Sequence, residues 1–263
     1  MKTIKLMMLM AALTVAWGCS SSSDDDNNNN PEQWNGSTYQ SSAKPAWAVD
    51  WTSTAAKPDW QDPDPTRFDG SSMHLVVDLD AELVSNTTSE DMMAAFIGEE
   101  CRGVSRPNVL GNGRVTFLLH ILGSGVEGSE KSPVELRYYC DKLHHLNTVP
   151  SISQFIPNTI SPRLLNVGEG SSKYPVKTQL TVTMPQKTPF TVTVNDQLTV
   201  FVGNECRGVG AKNTDNSWSM PVYGLQKGET AQLRYYSAEK GGVYTILRTI
   251  ELNGEQQQES ISF

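Results

Sequence analysis

Two segments of the chain carry the residue types that catalytic and metal sites use, and they carry them at the same spacing. Residues 91–104 and 196–209 both read Asp-x4-Phe-[Ile/Val]-Gly-x-Glu-Cys-Arg-Gly-Val. A thiol in a cationic environment can act as a nucleophile, and a nearby carboxylate can serve as a base or a metal ligand. The repeated motif is therefore the first place to look for chemistry.

The motif lacks the base that an active cysteine needs. Activation of Cys101 or Cys206 would require a neighbouring histidine or a strongly cationic setting, and no histidine recurs between the two segments. A free cysteine otherwise behaves as a small buried hydrophobe. We therefore interpret the motif as a scaffold rather than an active site, and we expect no enzymatic activity.

Each copy of the motif is predicted to form a tight β-hairpin. A short apolar strand, 94–97 or 199–202, ends in a glycine and two polar residues before Cys-Arg-Gly-Val. The glycine supplies the positive φ that such a turn needs. The residues assigned to this scaffold are Asp91, Phe96, Gly98, Cys101, Arg102 and Gly103, with their counterparts Asp196, Phe201, Gly203, Cys206, Arg207 and Gly208.

The charged residues of the motif can meet across that hairpin. We expect Asp91 to pair with Arg102, and Asp196 with Arg207, as bidentate ion pairs that brace the turn. Contact of the same residues with a ligand is the alternative. The glycine after each arginine suits a β-bulge or a close approach of two backbones.

The motif belongs to a longer internal repeat. Eight of its fourteen positions are identical in the two copies. Leu75-Val-Val precedes the first copy at the same offset as Leu180-Thr-Val precedes the second, and Leu-Arg-Tyr-Tyr follows at 136–139 and 233–236. Agreement in order across three separate blocks indicates that one module was duplicated.

Alternating and apolar runs predict strands in both copies, and no long helical pattern is present. Many short strands between Gly, Pro, Asn and Asp turns indicate an all-β fold of two tandem β-sandwich modules, immunoglobulin-like in shape. We place the first module at 45–168 and the second at 169–263. The predicted strands are 73–79, 94–97, 114–122, 134–139, 180–184, 190–194, 199–202, 217–223 and 231–236.

The N-terminus reads as an export signal. Lys2 and Lys5 precede an apolar run from Leu6 to Trp17, which is too short to remain as a membrane-spanning helix. Gly18-Cys19 resembles the lipobox of bacterial lipoproteins, which implies that residues 1–18 are a signal peptide and that Cys19 carries the lipid. An ordinary signal peptide with an incidental cysteine is the alternative.

A polar, low-complexity run of Ser, Asp and Asn follows Cys19, and we predict a disordered tether over 19–44. Cysteine followed by serine and an acidic run resembles the surface-export signal of Bacteroidota lipoproteins. The resemblance implies lipid anchoring to the outer membrane with the body exposed at the cell surface. A plain spacer on a periplasmic protein is the alternative.

The charge of the chain excludes some partners. The formal charge is −8, and loss of Lys2 and Lys5 with the signal peptide lowers it to −10. Nucleic-acid binding and electrostatic adhesion to anionic lipid both depend on Lys and Arg, so we expect neither. The acyl chains on Cys19 would supply the membrane contact.

The sequence gives little support for a metal site or a disulfide bond. With Cys19 acylated, three cysteines remain; a Cys101–Cys140 bridge stays open, but we expect free, buried thiols. Adjacent His144 and His145 would point to opposite faces of a strand. The aspartates between residues 59 and 69 lack the ligand spacing of a calcium loop. We therefore predict no metal and no other cofactor.

The tryptophans are the strongest functional lead. Tryptophan in a polar, Pro-rich loop can present a flat platform to a sugar ring. Trp51, Trp60 and Trp218 are our candidate ligand-binding residues. The alternative for each is that it covers the core of a module.

With its upstream Trp- and Pro-rich segment and Ser72-Met73, the motif resembles a family of secreted proteins and surface lipoproteins of Bacteroidota. That family has no activity that can be carried over to any residue. It implies an extracytoplasmic β-domain that adheres to or captures something outside the cell. Two functions follow: non-catalytic capture of an extracellular ligand, foremost a glycan, or a structural and adhesive role through binding of envelope proteins.

Overall fold

The computed structural model describes residues 37–126 and 129–263, which are almost entirely β. The predicted all-β fold of tandem sandwich modules is confirmed. The predicted signal peptide, 1–18, and the predicted lipid site Cys19 lie outside the described residues. Among the residues that are described, no helix is long and apolar enough to cross a membrane.

The chain enters the described region as strand β1 (Ser37–Ser41) and then runs irregularly, apart from a 3-10 turn at Pro65–Arg67, to the first sandwich. The first sandwich comprises β2 (Ser71–Leu79), α1 (Ala81–Val84), β3 (Met92–Ile97), β4 (Glu100–Ser105), β5 (Asn108–Val109), β6 (Val115–Gly123), β7 (Val134–Cys140), β8 (His145–Ser153) and β9 (Ile160–Leu165). The second comprises β10 (Val176–Thr183), β11 (Gln197–Val202), β12 (Glu205–Val209), β13 (Ala211–Lys212), β14 (Ser217–Gly224), β15 (Glu229–Ser237), β16 (Gly242–Leu252) and β17 (Gln256–Ser260).

The two sandwiches share one topology. The sheets of the first have the orders β5-β6-β2-β9 and β4-β3-β7-β8, and those of the second have the orders β13-β14-β10-β17 and β12-β11-β15-β16. In each sandwich the first strand lies parallel to the last, β2 with β9 and β10 with β17. The other strand pairs of these sheets are antiparallel. The internal repeat is therefore repeated strand for strand in the fold.

This order follows the immunoglobulin Greek key. Strands β2, β3, β5, β6, β7 and β8 take the positions of strands B, C, D, E, F and G, and β4 lies beside β3 as strand C′ does beside C. Strand β9 occupies the edge beside β2 that strand A has in an immunoglobulin domain, but it arrives from the C-terminal end of the module and lies parallel to β2. Strand β17 does the same beside β10.

Alternation along the strands fills each core. In β2, Met73, Leu75 and Val77 face inward and are buried, while the residues between them are partly exposed. They belong to one cluster with Leu136 and Tyr138 of the opposite sheet. A period of two residues places every second side chain on the inner face, so the sequence pattern alone predicts this core.

The predicted strand at 190–194 does not form. This segment connects β10 to β11 without regular pairing, because it passes from one sheet to the other at the end of the sandwich. Phe190 is buried and stacks on Tyr235 with ring centroids 5.0 Å apart, whereas Val194 is 85% exposed. Phe190 covers the core without strand pairing, so the alternating sequence of 190–194 does not correspond to a strand.

Strand β1 belongs to the second sandwich although it precedes the first in sequence. It pairs antiparallel with the start of β16 and extends that sheet to five strands. A Cβ on Gly242 would lie 2.3 Å from the Tyr39 ring, so the glycine makes room for it. The Tyr39 hydroxyl donates to the Lys240 carbonyl at 2.7 Å. The end of the predicted tether, 19–44, is thus a strand, because an open sheet edge offers unpaired backbone groups.

Residues 37–62, which we call the strap, touch both sandwiches. Trp51 lies at the junction and is 7% exposed. Its ring centroid is 4.6 Å from that of Tyr223 in β14, 5.5 Å from that of Tyr174 and 5.6 Å from that of His145 in β8. One buried tryptophan therefore joins the strap to both modules.

The passage between the modules packs on the first sandwich. Ser171 forms a bridge with Asn147 of β8, and Tyr174 belongs to the first core. The second sandwich begins with Val176, seven residues after the start predicted for the second module, because the intervening residues cover the edge of β8.

Protonation of His145 affects the stability of the fold. Burial beside Trp51, with a smaller effect of Lys173, lowers its pKa from 6.5 to about 4. The unfolded chain therefore takes up a proton near pH 6.5 that the folded chain takes up only near pH 4. The stability that neutral His145 contributes is present above pH 6.5 and is lost as the pH falls toward 4.

We expect the free energy of unfolding to fall by about 2 kcal/mol between pH 7.5 and pH 5 on account of His145. Urea titrations at the two pH values measure this change. His145→Gln should remove that part of the pH dependence, while His120→Gln, at an exposed position, should retain it. Equal pH dependence in all three proteins would show that His145 does not couple folding to protonation.

Candidate functional site

Both copies of the Cys-Arg-Gly motif form a two-residue hairpin. Ile97 pairs with Glu100 across the first turn, and the equivalent pair closes the second. Gly98 and Gly203 sit in the turns with φ of +61° and +59°. A side chain is strained at such φ values, which explains the glycine in both copies.

A β-bulge follows each turn. In the first copy Phe96 pairs with Cys101 and Ala95 pairs with Gly103, so that Arg102 is the extra residue. The same shift occurs in the second copy and leaves Arg207 unpaired. A bulge re-aims the side chain it carries. Both arginines are accordingly turned inward and are only 8% and 2% exposed.

Arg102 does not pair with Asp91, so the expected ion pair is wrong. Its guanidinium makes a bidentate contact with Glu130, with Nη1–Oε1 at 2.9 Å and Nη2–Oε2 at 3.2 Å. Nη1 also donates to the Leu122 carbonyl at 3.1 Å, and the Phe68 ring lies 4.8 Å from the guanidinium carbon. The arginine thus ties the hairpin to the opposite sheet and to the loop before β7.

The second copy repeats this arrangement with other residues, so the expected Asp196–Arg207 pair is also wrong. Arg207 donates to the Tyr223 carbonyl at 3.3 Å and to Glu229 at 3.5 Å. The Tyr174 ring covers its guanidinium at 4.8 Å. Both sandwiches therefore contain an inward arginine that contacts a carboxylate and lies beneath an aromatic ring.

The motif aspartates contact other partners than the arginines. Each aspartate lies just before a strand, β3 or β11, and the hairpin turn lies at the other end of that strand. Asp91 Oδ2 accepts from the Tyr138 hydroxyl at 2.6 Å, and its Oδ1 accepts from the Asp141 amide at 3.0 Å. Asp196 accepts from the Tyr235 hydroxyl at 2.5 Å and from the Ala238 amide at 2.8 Å. The repeated Leu-Arg-Tyr-Tyr block thus supplies the tyrosine that each aspartate needs.

The glycine after each arginine lets two backbones touch. A Cβ on Gly103 would lie 2.2 Å from the His120 carbonyl oxygen of β6, and one on Gly208 would lie 2.7 Å from the Pro221 carbonyl oxygen of β14. Real Cβ contacts are not that short, so any side chain at these positions would force the two sheets apart.

The thiols show no sign of activation. Cys101, Cys140 and Cys206 are all free. Burial raises the pKa of each of the three thiols. A nucleophilic cysteine requires the opposite shift. The three thiols are therefore free and have pKa values above that of an ordinary cysteine.

Side chains that could have bound a metal are separated or already bonded. His144 lies exposed in a turn, while His145 is buried with Nε2 2.8 Å from Ser171 Oγ. Asp62 accepts from the Val104 amide at 2.9 Å, and Asp69 accepts from the Gly125 amide at 2.7 Å. Over 37–126 and 129–263, no three His, Cys, Asp or Glu residues gather as a metal site requires.

Two of the three candidate tryptophans are not open platforms. Trp51 is buried at the junction of the sandwiches, and Trp218 is 2% exposed within the second core. Both rings face inward and pack in the hydrophobic cores. Trp60 is half-buried and meets Phe96 edge-on at 6.0 Å.

The motif phenylalanines lie on the outer faces of their sheets and receive the strap there. The Arg137 guanidinium lies 3.9 Å from the Phe96 ring, beside Trp60. In the second sandwich, the Arg234 guanidinium lies 3.9 Å from the Phe201 ring, which Trp47 meets edge-on at 5.7 Å. Each copy of the motif thus offers one docking point for a strap tryptophan.

The strap and the outer face of the five-stranded sheet enclose a cleft of about 580 Å³, which we call the strap cleft. Half-buried Trp47 lines it together with residues of β1, β15 and β16. Arg234 and Thr245 lie directly opposite each other on β15 and β16. The lining residues are Gln40, Ser41, Ser42, Pro45, Trp47, Gln232, Arg234, Val243 and Thr245.

The strap cleft combines an aromatic ring with free polar side chains. Those of Gln40, Gln232 and Thr245 make no hydrogen bond to any other described residue, so they are available to a ligand. An indole beside several amides and hydroxyls is the composition expected of a sugar site. The sequence did not predict this site, because the pairing of β1 with β16 depends on the tertiary fold. Trp47 itself lies in the Trp- and Pro-rich segment upstream of the motif.

No family model and no curated protein matches the chain. Among solved structures, a crystal structure of a Bacteroides fragilis protein described by a proposed role in cell adhesion is similar over 84% of this chain and 90% of that chain. The identity is 8% and the TM-score is 0.28.

The close approach at Gly103 gives a direct test of the motif's role. Gly103→Ala should lower the free energy of unfolding by about 1–3 kcal/mol, because the new Cβ would meet the His120 carbonyl oxygen. Gly111→Ala is the matched control, since a Cβ there would meet nothing within 4 Å. Urea unfolding of both variants measures the difference, and equal stabilities would refute the backbone contact.

Proposed function

We propose that the chain captures an extracellular glycan in the strap cleft. The observation that carries this proposal is half-buried Trp47 lying beside the unbonded side chains of Gln40, Gln232 and Thr245. A volume of about 580 Å³ falls within the range of about 300–1,000 Å³ that is usual for small-ligand sites. The indole would stack on a sugar ring while the amides and the hydroxyl bind its hydroxyl groups.

We propose further that capture occurs without catalysis. Glycoside cleavage uses a pair of carboxyl groups across the scissile bond, and the described residues that line the strap cleft include no carboxylate. The raised pKa values of the three thiols also speak against a nucleophilic cysteine.

For the location we propose an outer-membrane lipoprotein, exposed at the cell surface and anchored through Cys19. The support is the lipobox-like Gly18-Cys19 and the acidic run after it. Strand β1 follows Cys19 by only 18 residues, so the strap cleft is built on the first described strand after the proposed anchor.

Cys19→Ser should abolish incorporation of a labelled fatty acid and move the protein from the membrane fraction to the soluble fraction. The matched control is Cys140→Ser, because the second module already has serine, Ser237, at the equivalent position. Labelling of cells followed by immunoprecipitation measures the acylation. Continued labelling of the Cys19→Ser protein would rule out the anchor.

Trp47→Ala should weaken glycan binding at least tenfold, which corresponds to about 1.4 kcal/mol. Trp60→Ala is the matched control, since Trp60 occupies the equivalent position on the first sandwich and lines no part of the strap cleft. A glycan array identifies ligands, and affinity electrophoresis compares the variants. Failure of the intact protein to retain any glycan of a broad panel would contradict the proposal.

An adhesive or structural role is the second candidate, and one outer sheet face favours it. Leu118, Ile160 and Leu164 of the β5-β6-β2-β9 sheet are 58%, 72% and 54% exposed. The equivalent strands β14 and β17 of the second sandwich carry Ser219, Pro221 and three glutamines instead. An envelope protein with a neutral, apolar surface would fit the first face.

Cross-linking to one defined envelope protein that is lost with Leu118→Lys would support this role, and unchanged cross-linking would exclude this face.

A further inference from the structure

Among the positions at which the two copies of the module differ in charge, one lies in the strap cleft of the second copy. Leu136-Arg137 aligns with Leu233-Arg234, and the residue before this pair is Glu135 in the first copy but Gln232 in the second. In the first sandwich, Arg137 Nε binds Glu135 Oε1 at 2.5 Å. The arginine of the first copy is therefore neutralised by its own strand.

Arg234 has no such partner: across the described ranges, 37–126 and 129–263, no carboxylate forms an ion pair with it. Its Nη2 donates to the Gly203 carbonyl at 3.2 Å, and its guanidinium lies 3.9 Å from the Phe201 ring. These contacts hold the guanidinium in place without cancelling its charge. The remaining N–H groups stay available to a ligand.

The positive charge of Arg234 lies in a cleft of an otherwise acidic chain. The chain has 29 acidic and 21 basic residues, yet Arg234 is the only charged residue among the described residues that line the strap cleft. A half-buried guanidinium is less screened than one on the open surface, and its planar fork matches a carboxylate better than it matches a neutral hydroxyl. Positive charge is thus placed where the proposed sugar would bind.

We infer that the strap cleft selects an acidic glycan, one whose sugar units carry a carboxylate, and that Arg234 binds this carboxylate through its fork. Trp47 stacks on the same or the neighbouring ring, and Gln40 and Thr245 bind hydroxyl groups. The substitution of Gln232 for the glutamate of the first copy is what frees Arg234 for this role. The inference rests on the proposed glycan capture and specifies its ligand.

The test compares oligosaccharides that differ in charge. The full-length protein in detergent is titrated calorimetrically with uronate oligomers of galacturonate, glucuronate-containing and mannuronate types, with neutral hexose oligomers of equal length, and with a sulfated oligosaccharide. We expect at least one uronate oligomer to bind at least tenfold more tightly than every neutral one. We also expect its affinity to fall as salt is raised, because the contact is ionic.

Gln232→Glu is the decisive variant, since it restores the ion pair of the first copy and leaves Phe201 and Trp47 in place. It should reduce uronate binding at least tenfold, and Arg234→Gln should do the same. Arg137→Gln is the matched control on the first sandwich and should bind as the wild type does. Thermal melting of each variant verifies that the fold is intact.

The outcomes separate the two proposals. Equal affinity for uronate and neutral oligomers, tighter binding of the sulfated oligosaccharide alone, or full uronate binding by Gln232→Glu would overturn the acidic-glycan inference and leave glycan capture standing. Absence of binding to every oligosaccharide, acidic and neutral, would instead overturn glycan capture itself.

Discussion

At one corner of each sandwich, an arginine turned inward by a β-bulge reaches the opposite sheet, where two backbones meet with no side chain between them. Arg102 needs Glu130 because a buried charge is costly without a partner, and this pairing fixes the loop before β7. Gly103 is required because β4 and β6 touch at that point. The position of one sheet on the other, and hence the shape of the core, depends on this corner.

The same hairpin determines what lies outside the sandwich. The bulge that sends Arg102 inward leaves the neighbouring Phe96 on the outer face, under an arginine of β7 and a strap tryptophan. The second copy reproduces this stack with Phe201 and Trp47. A motif that holds two sheets together on one side therefore also offers a docking point for the strap on the other.

Duplication gives the chain two copies of one fold whose surfaces differ. The first copy keeps the Glu135–Arg137 pair, whereas the second has Gln232 at the equivalent position and also gains β1 as a fifth strand. Both differences contribute lining residues to the strap cleft, namely Gln232 and the β1 residues Gln40 and Ser41. Shared residues maintain the sandwich, and the cleft combines one of them, Arg234, with residues such as Gln232 that differ between the copies.

The sequence by itself determined the duplication, the all-β class, most strands and the glycine turns, because alternation and turn chemistry act over a few neighbouring residues. Only the tertiary structure decided that Arg102 binds Glu130, that Trp51 and Trp218 are buried, that 190–194 is not a strand, and that β1 pairs with β16. Each of these depends on contacts between residues distant along the chain, and burial or pairing of that kind is fixed by the packing of whole sheets rather than by local pattern.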